Sequence, residues 1–255
     1  MNITDRTIFI PGATSGIGRA LALAFAERGN TVIVGGRRTE LIDELRRSHP
    51  AIDGVVIDVA DAASVQRAAD EVLARHPELD TVVAMAGIMS AEDWTTPAGF
   101  LTSAERTVET NLLGPIRLIG AFIEHLLARP DATIVTVSSG LAFTPLRVTP
   151  SYNATKAAIH MLSESLRLQY ADTSVDIVEL VPPAVQTDLL PGHAENPQAQ
   201  PLDAFVAEVM GILERDPGVR EVLVDRVRFL RHGEARGDYD DVVRAINATD
   251  PHTQR

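Results

Sequence analysis

Cysteine is absent from the 255 residues of this sequence, which excludes disulfide bonds and thiolate metal sites, and we predict no metal site of any kind. Aromatic residues are also scarce, at 4% of the chain, although 45% of the residues are hydrophobic. The core must therefore be mainly aliphatic, as in a parallel β-sheet covered by helices. Basic residues are outnumbered 23 to 35 by acidic ones, giving a formal net charge of −12. Phosphate backbones and anionic lipid repel such a chain, so we expect neither nucleic acid nor a membrane as a partner.

Long hydrophobic runs are missing as well. A membrane-spanning helix requires about 18 apolar residues in succession, and no apolar stretch of this sequence approaches that length. The first residues, MNITDR, contain no basic region followed by an apolar one, so we expect no signal peptide. Together with the absence of cysteine, these features predict a cytoplasmic protein.

Short runs rich in valine and isoleucine alternate with longer segments of helical periodicity. The predicted strands are residues 7–10, 31–35, 54–57, 81–84, 133–137, 175–181 and 222–224. The predicted helices are residues 18–28, 40–47, 63–75, 104–127, 152–171 and 202–213. This alternation indicates βαβ units with right-handed crossovers. We therefore predict an α/β protein in which residues 1–255 form a single-domain, doubly wound parallel sheet, a Rossmann fold, with helices on both faces.

Two segments fall outside that alternation. Residues 188–201 are rich in proline and glycine, and we predict an irregular substrate loop there. Residues 249–255 are predicted to form a loose tail.

A glycine-rich turn follows the first predicted strand directly. It reads GATSGIG over residues 12–18, a GxxxGxG spacing, and a helix is predicted to follow. Glycines in this position let the chain turn tightly and let a pyrophosphate approach the backbone at a helix N-terminus. The alternative is a glycine-rich strand-to-helix turn that binds nothing.

Tyr152 and Lys156 lie four residues apart in a predicted helix, so their side chains share one face. The phenol of an unperturbed tyrosine has a pKa of about 10. An ammonium group ~5 Å away at an effective dielectric of ~20 favours the phenolate by about 3 kcal/mol. Burial raises a tyrosine pKa, so we predict that the charge of Lys156 outweighs the desolvation of Tyr152. The alternative is a packed tyrosine whose lysine neighbour extends to water.

The order and separation of GxxxGxG and YxxxK resemble the short-chain dehydrogenase/reductase family over residues 7 to 188. Other family positions also match in order: Asp58 and Val59 after the third strand, AMAG at residues 84–87, Asn111 in the long helix, Ser138 and Ser139 after the fifth strand, and Val185 and Thr187 after the sixth. Residues 111–115 and 182–189 resemble, more narrowly, the bacterial DltE-type oxidoreductase branch of that family.

The resemblance implies hydride transfer between a nicotinamide cofactor and a carbonyl or secondary alcohol. It implies that Tyr152 is the general acid in reduction and the general base in oxidation. Lys156 then tunes Tyr152 and holds the nicotinamide ribose, while Ser139 hydrogen-bonds the substrate oxygen. Asn111 distorts its helix and holds a water that relays protons towards Lys156. Alternatively, Ser139 caps a strand end and Asn111 is an exposed helical residue.

The end of the second strand bears on the choice of dinucleotide. It carries Arg37 and Arg38 and no carboxylate that would bind a ribose 2′-hydroxyl. A guanidinium can pair with a 2′-phosphate, so we predict NADP(H) in preference to NAD(H), with Arg37 first and Arg38 second. Ser15 replaces a basic residue that many NADP-preferring relatives carry, and both arginines could instead be solvated. The predicted cofactor-binding residues are Gly12, Thr14, Ser15, Gly16, Ile17, Gly18, Arg37, Arg38, Asp58, Val59, Ala86, Gly87, Tyr152, Lys156, Pro182, Val185 and Thr187.

Three positions depart from the family pattern. Pro11 and Ala84 replace polar residues that help to tie the first strand to the fourth in relatives, so we expect a changed structural tie. Pro183 follows Pro182 where the family has glycine, which stiffens the loop and removes a backbone donor on the nicotinamide side.

The predicted substrate pocket is mostly apolar, which favours a neutral, apolar ketone, aldehyde or secondary alcohol. Arg147 and His193 are its polar candidates, although His193 could equally be a solvated surface residue. The predicted lining residues are Met89, Trp94, Leu141, Phe143, Leu146, Ala184, Leu189 and Leu190. The long helices 104–128 and 152–171 resemble the family's subunit contacts, so we expect a homodimer or homotetramer.

Two other functions stay open. The first is an NADP(H)-binding sensor that regulates a partner without turnover. The second is dehydration or epimerisation of a nucleotide sugar, for which the short chain after Gln186 leaves little room.

Overall fold

The computed structural model describes residues 1–249. The predicted loose tail, residues 249–255, lies outside this part of the chain apart from Thr249, the last residue of the final helix. Among the described residues, no helix combines the length and the apolar character needed to cross a membrane.

Seven strands form one parallel sheet in the order β3-β2-β1-β4-β5-β6-β7. The strands are β1 (Thr7–Pro11), β2 (Thr31–Gly36), β3 (Ile52–Val56), β4 (Thr81–Ala84), β5 (Ala132–Val137), β6 (Val175–Leu180) and β7 (Glu221–Val222). The strand order reverses between β1 and β4, and a crevice opens at such a point outside the carboxyl ends of the strands. The predicted doubly wound parallel sheet is confirmed.

Helices cover both faces of the sheet. They are α1 (Gly16–Ala26), α2 (Thr39–Ser48), α3 (Ala62–Arg75), α4 (Leu101–Val108), α5 (Gly114–Leu127), α6 (Pro150–Gln169), α7 (Leu202–Arg215), α8 (Arg228–Arg231), α9 (Gly233–Arg236) and α10 (Tyr239–Thr249). One apolar core lies beneath α1, α2 and α7, and a second lies beneath α3, α5 and α6.

Alternation along β1 shows how the two cores share one strand. Ile8 and Ile10 belong to the core beneath α1, whereas Phe9 belongs to the opposite core and packs on Phe122 of α5 with ring centroids 5.4 Å apart. Successive side chains of a strand point to opposite faces, so a strand covered on both sides must be apolar throughout. This is why the strands are continuous hydrophobic runs in the sequence.

The predicted single helix over residues 104–127 is wrong in one respect. A π-helical turn, Glu109–Leu113, separates α4 from α5. Asn111 lies in this turn, where it is 1% exposed. π-Helical turns inside α-helices occur frequently at functional sites, and periodicity alone does not reveal them.

The tie between β1 and β4 lies at the amino ends of the strands. Their ladder pairs are Ile8 with Thr81 and Phe9 with Val82, which leaves the ends at Pro11 and Ala84 beyond the ladder. Just before β1, the buried guanidinium of Arg6 lies 3.4 Å from the Thr81 hydroxyl. It also forms ion pairs with Asp80 at 3.2 Å and Asp131 at 2.6 Å. Arg6 thus links β1, β4 and β5 at the edge opposite the glycine-rich turn.

Candidate active site

A cleft of about 1230 Å³ runs along the carboxyl ends of the strands. It reaches from the glycine-rich turn after β1, past the ends of β4 and β5, to the segment after β6. All the predicted cofactor-binding residues line this cleft, together with Ser139. Residues far apart in the sequence therefore converge on one surface.

The glycine loop, residues 12–18, has little room for side chains. Gly12 has a φ of +93°, and a Cβ there would lie 2.7 Å from the Ala86 Cα. A Cβ on Gly18 would lie 2.5 Å from the Gly12 carbonyl oxygen. Ser15 is the N-cap of α1, but its side chain makes no capping hydrogen bond. Bare backbone at a helix N-terminus fits the pyrophosphate of a dinucleotide, which needs close approach and N–H donors.

Arg38 lies against the glycine loop. Its Nη2 donates to the Thr14 Oγ1 and to the Ser15 Oγ, each at 2.8 Å. Arg37 lies farther out, with its side chain 69% exposed and its Nη1 4.0 Å from the Asp58 Oδ2. Both arginines line the cleft, but Arg38, which the sequence ranked second, is the one in contact with the loop.

Tyr152 and Lys156 lie on α6 and are 7% and 5% exposed. The Lys156 Nζ donates to the Val137 carbonyl oxygen at 2.8 Å and lies 5.5 Å from the centre of the Tyr152 ring. The Tyr152 phenol is hydrogen-bonded to the Ser139 side chain. Pro150 begins α6 in the first turn, where a missing N–H costs nothing. The helix thus holds both side chains against the end of β5.

The Ser139 side chain makes two contacts at the end of β5, and its predicted bond to a substrate oxygen stays a prediction. Its Oγ accepts a hydrogen bond from the Leu141 N–H at 3.1 Å and so caps the 3-10 turn Gly140–Ala142. The same hydroxyl contacts the Tyr152 phenol. The cap fixes the side chain that faces the tyrosine.

Burial governs the acidity of the pair. Desolvation raises the pKa of Tyr152 to about 12, although its hydrogen bond with Ser139 lowers that pKa in part. Desolvation also lowers the pKa of Lys156 to about 8. The prediction that the Lys156 charge outweighs burial is therefore wrong for the protein groups alone, because the ammonium is itself desolvated and points at the Val137 carbonyl. Tyr152 is a neutral phenol at pH 7, the form that a proton donor requires.

Asn111 is held from both sides by the main chain of Ile88. Its Oδ1 accepts from the Ile88 N–H and its Nδ2 donates to the Ile88 carbonyl, each at 2.8 Å. A Cβ added to Gly87 would lie 3.5 Å from the Asn111 Oδ1 and 3.8 Å from the Lys156 Nζ, so both side chains approach this glycine. The alternative of an exposed helical asparagine is wrong. The water relay stays a prediction.

The segment after β6 closes the cleft above the glycine loop. The Thr187 side chain lies 3.5 Å from where a Gly16 Cβ would be. The Pro182 carbonyl accepts from the Gly140 N–H at 2.9 Å, which joins this segment to the end of β5. Gln200 returns to it, donating from its N–H to the Ala184 carbonyl at 2.8 Å. The predicted irregular segment 188–201 contains no helix or strand and is anchored at both ends.

Six of the ten predicted substrate residues, with the polar candidates Arg147 and His193 included, line the cleft, and four do not. Those that line it are Met89, Leu141, Leu146, Ala184, Leu189 and His193. His193 is 7% exposed, so the alternative of a solvated surface residue is wrong.

Trp94, Phe143 and Leu190 are placed elsewhere. Trp94 is 52% exposed and stacks on Phe100 at 4.1 Å. Phe143 packs edge-on against His160 at 4.6 Å, outside the cleft. Leu190 is buried behind the wall, in a small cluster with Met89, Leu146 and Tyr152. Arg147 is not among the lining residues either, and its main-chain N–H donates to Asn247 at 2.7 Å. From the sequence, the segments that carry these residues could be placed near the cleft, but the direction of their side chains could not be predicted.

The C-terminal part of the chain supplies a wall that the sequence analysis missed. Arg226, Phe229, Leu230 and Ile246 all line the cleft. Part of this wall, α10, had a signal in the sequence. Asp240 and Asp241 lie in its first turn, and apolar residues four positions apart follow them.

Comparisons with known proteins agree with this geometry. A family model described as short chain dehydrogenase matches residues 6–198. The "Uncharacterized oxidoreductase DltE" of Bacillus subtilis (strain 168) is 35% identical over 254 residues, which cover 97% of this chain and 98% of that protein. The solved alcohol dehydrogenase of the archaeon Thermococcus sibiricus, complexed with 5-hydroxy-NADP, is 26% identical with a TM-score of 0.73, covering 86% of this chain and 95% of that one. A short chain dehydrogenase from Burkholderia cenocepacia J2315 in complex with NADP has a TM-score of 0.81 over 100% of both chains; at 24% identity, this likeness shows the fold.

Proposed function

The chain belongs to the short-chain dehydrogenase family, and we propose that it is an NADP(H)-dependent oxidoreductase that reduces an apolar ketone or aldehyde to the alcohol. The predicted resemblance to this family and to its DltE-type branch is confirmed. The observation that carries the proposal is the contact of the buried Tyr152 phenol with Ser139, with the Lys156 ammonium 5.5 Å from the phenol ring, in a cleft continuous with the glycine loop.

We propose that the dinucleotide binds along the cleft, where three groups of residues fit its parts. The glycine loop, residues 12–18, would hold the pyrophosphate on bare backbone. Lys156 would hold the nicotinamide ribose, and Thr187 would bond the carboxamide. When bound, the nicotinamide supplies or accepts the hydride.

The proton chemistry belongs to Tyr152. As hydride arrives at a carbonyl carbon, negative charge develops on the oxygen, which requires a proton donor and a hydrogen bond before the charge is complete. Tyr152, neutral because burial raises its pKa to about 12, donates that proton, and the Ser139 hydroxyl bonds the same oxygen. The phenolate left behind is stabilised by the nearby ammonium of Lys156. In alcohol oxidation the same groups act in reverse.

The preference for NADP(H) rests on the two arginines. The Arg38 guanidinium donates hydrogen bonds to Thr14 and Ser15 of the glycine loop, whereas the Arg37 side chain is largely exposed. A 2′-phosphate at this end would exchange hydroxyl contacts of Arg38 for charge-assisted ones. The Thermococcus sibiricus relative, solved with 5-hydroxy-NADP, supports the same choice.

The substrate proposal rests on the composition of the walls. Apolar side chains line the cleft from several segments: Met89, Leu141, Leu146, Leu189, Phe229, Leu230 and Ile246. Polar side chains line the cleft as well, among them Ser90, His193, Asn196, Gln198 and Arg226. Walls of this kind suit a neutral carbonyl compound with a hydrophobic body.

We also propose a cytoplasmic homodimer or homotetramer built through α5 and α6. Apolar side chains stand exposed on both helices, with Ile116 43%, Met161 62% and Leu168 82% exposed. Burying such a patch between subunits removes apolar surface from water.

The test is a reductase assay of the purified protein. NADPH and then NADH would be mixed with a panel of hydrophobic ketones and aldehydes, and cofactor oxidation followed by absorbance. We expect turnover with a higher kcat/KM for NADPH. Turnover that favours NADH would keep the enzyme and overturn the cofactor preference. NADPH binding without turnover on any member of the panel would contradict the reductase and favour the sensor.

A further inference from the structure

A fully buried carboxylate lies directly behind the candidate active site. Glu179 of β6 is 0% exposed, and its Oε1 accepts a hydrogen bond from the Ser138 hydroxyl at 2.5 Å. Ser138 follows β5 and precedes Ser139, the residue that contacts the Tyr152 phenol. A charged group is rarely buried to this extent unless it is fully partnered. The position of Glu179 therefore calls for a physical reason.

His160 is the second partner of this carboxylate. Its Nδ1 lies 3.1 Å from the Glu179 Oε1 and 3.0 Å from the Oε2. On α6, Tyr152, Lys156 and His160 occupy positions i, i+4 and i+8, which form one row along the helix. The first two members of the row reach the cleft, and the third reaches Glu179. The carboxylate thus joins the helix that carries the reactive pair to the strand end that carries Ser139.

The charges around Glu179 are close to balanced by the protein itself. Glu164, Glu179 and Glu221 are the carboxylates, and His160 lies among them. Arg167 lies 3.7 Å from Glu179, and Arg231 lies 3.0 Å from Glu221. Two guanidinium groups are already paired to this cluster, and protonation of His160 would supply a third positive charge. We therefore assign the cluster to the protein framework and propose no cation for it.

Three consecutive residues at the end of β5 are each held by a different side chain. Lys156 donates to the Val137 carbonyl, Glu179 accepts from the Ser138 hydroxyl, and Tyr152 bonds the Ser139 hydroxyl. The middle contact is the one that links the strand end to the buried charge cluster. Without it, the strand end would keep main-chain hydrogen bonds, such as the one from the Ser138 N–H to the Leu180 carbonyl at 3.0 Å, but the Ser138 side chain would lose its tie to the charge cluster.

We propose that Glu179 is a positioning residue, which fixes Ser138 and through it holds the Ser139 hydroxyl in register with the Tyr152 phenol. This inference rests on the proposed reductase function. Glu179 does not line the cleft and is not expected to touch substrate or cofactor. Its effect should therefore appear in the chemical step and not in cofactor binding, because a displacement of about 1 Å at a reacting group costs as much as ~100-fold in rate.

The test compares Glu179→Ala with Glu179→Gln in the full chain. Glutamine keeps an acceptor for Ser138 and an amide for His160, whereas alanine removes both. We expect Glu179→Ala to lower kcat by roughly 10- to 100-fold with an unchanged Kd for NADPH, and Glu179→Gln to restore most of kcat. Glu164→Gln, a partner of Arg167 that makes no contact with Ser138, is the matched control and should retain wild-type kcat.

Ser138→Ala provides a second test in case Glu179→Ala does not fold, because it removes only one hydroxyl. It should lower kcat in the same direction by a smaller factor, and adding it to Glu179→Ala should cause no further loss, since both cut one link. Three results would overturn the positioning role while the reductase stands. They are a wild-type kcat in both Ser138→Ala and Glu179→Ala, losses of kcat that add in the double variant, and a loss of NADPH affinity that parallels the loss of kcat. Absence of turnover in the wild-type protein would instead overturn the proposed function, and this inference with it.

Discussion

At one end of the cleft, the glycine loop and the arginine pair come from two consecutive βα units, and backbone makes up much of the surface. At the other end, the walls of the cleft come from many segments that lie between residues 85 and 246. In the proposed enzyme, the first end binds a part common to all dinucleotides, and this requires only short loops after adjacent strands. The second must match one substrate, and its shape depends on how distant segments pack.

We expect substitutions at the two ends of the cleft to impair different properties of the protein. Side chains at the Tyr152 end should control the chemical step. The loop and the arginines should control cofactor affinity and stability.

The largest effect is expected from Tyr152→Phe, which removes the proton donor and keeps the ring. General acid catalysis contributes roughly 100- to 10,000-fold, and we expect kcat to fall by that factor while the Kd of NADPH is unchanged. Steady-state kinetics and cofactor fluorescence titration measure the two quantities. Tyr170→Phe, at a partly buried tyrosine that follows the end of α6 and packs against the core beneath α3, α5 and α6, is the control. Near-wild-type turnover in Tyr152→Phe would remove this residue from the mechanism.

Arg38→Ala should have the next largest effect, and at the other end. Loss of a hydrogen bond to a charged group costs about 1.5–3 kcal/mol, so the Kd of NADPH should rise roughly 10- to 100-fold, with that of NADH little changed. Binding of the two dinucleotides to the same protein, by calorimetry, separates them. Arg47→Ala, a change at the end of α2 outside this cleft, is the control. An equal loss for NADPH and NADH would mean that Arg38 supports the loop through Thr14 and Ser15 and does not select the 2′-phosphate.

Gly12→Ala should lower stability because the new Cβ meets the Ala86 main chain at a φ of +93°. Strain of this kind costs about 1–3 kcal/mol in the free energy of unfolding. Gly120→Ala is the matched control, since a Cβ at this site in α5 meets nothing within 4 Å and should stabilise the helix by up to about 1 kcal/mol. Denaturant unfolding of both variants measures the difference. Equal stability of the two would show that the loop tolerates side chains.

The smallest expected effect is a pH dependence of stability from His160. Its hydrogen bond to Glu179 raises the pKa of His160 above the ordinary value of about 6.5, although desolvation opposes this. Glu221 raises this pKa further and Arg231 lowers it. Because the folded pKa is the higher one, the contribution is complete below the unfolded pKa and is lost as pH rises through the folded pKa.

Unfolding of His160→Asn and wild type across this pH window measures that contribution. The stability difference should be largest in acid and shrink towards alkaline pH, by about 1 kcal/mol or less for a partly exposed pair. His49→Asn, at the end of α2, is the control. A difference that stays constant with pH would contradict the coupling to Glu179.

The same contrast explains what could be predicted from the sequence. The glycine loop and the pair of Tyr152 and Lys156 depend on short spacings, and all the residues predicted from them line the cleft. The apolar strands were found because both of their faces are buried. The resemblance to the family implied a distorted helix at Asn111, but periodicity did not reveal the π-helical turn, because one extra residue in a turn leaves the hydrophobic pattern nearly unchanged.

Side-chain direction was the harder problem. Phe143 follows the 3-10 turn after Ser139 and was expected in the pocket, yet Arg231 and His160 hold its ring outside it. Phe229 and Ile246 line the cleft from a segment to which no element was assigned. The acidity of Tyr152 was also misjudged, because the sequence supplies the charge of Lys156 but not the burial of both groups.

Transfer of deuterium from the cofactor to the substrate would show whether the protein moves a hydride, with Tyr152 as the proton donor. Wild-type protein would be given NADPH deuterated at the transferable position of the nicotinamide, together with a ketone from the panel, and the alcohol analysed by mass spectrometry and NMR. We expect deuterium on the carbinol carbon of the wild-type product and almost no product from Tyr152→Phe. An alcohol without deuterium at that carbon, or full product from Tyr152→Phe, would contradict hydride transfer at this site with Tyr152 as the proton donor.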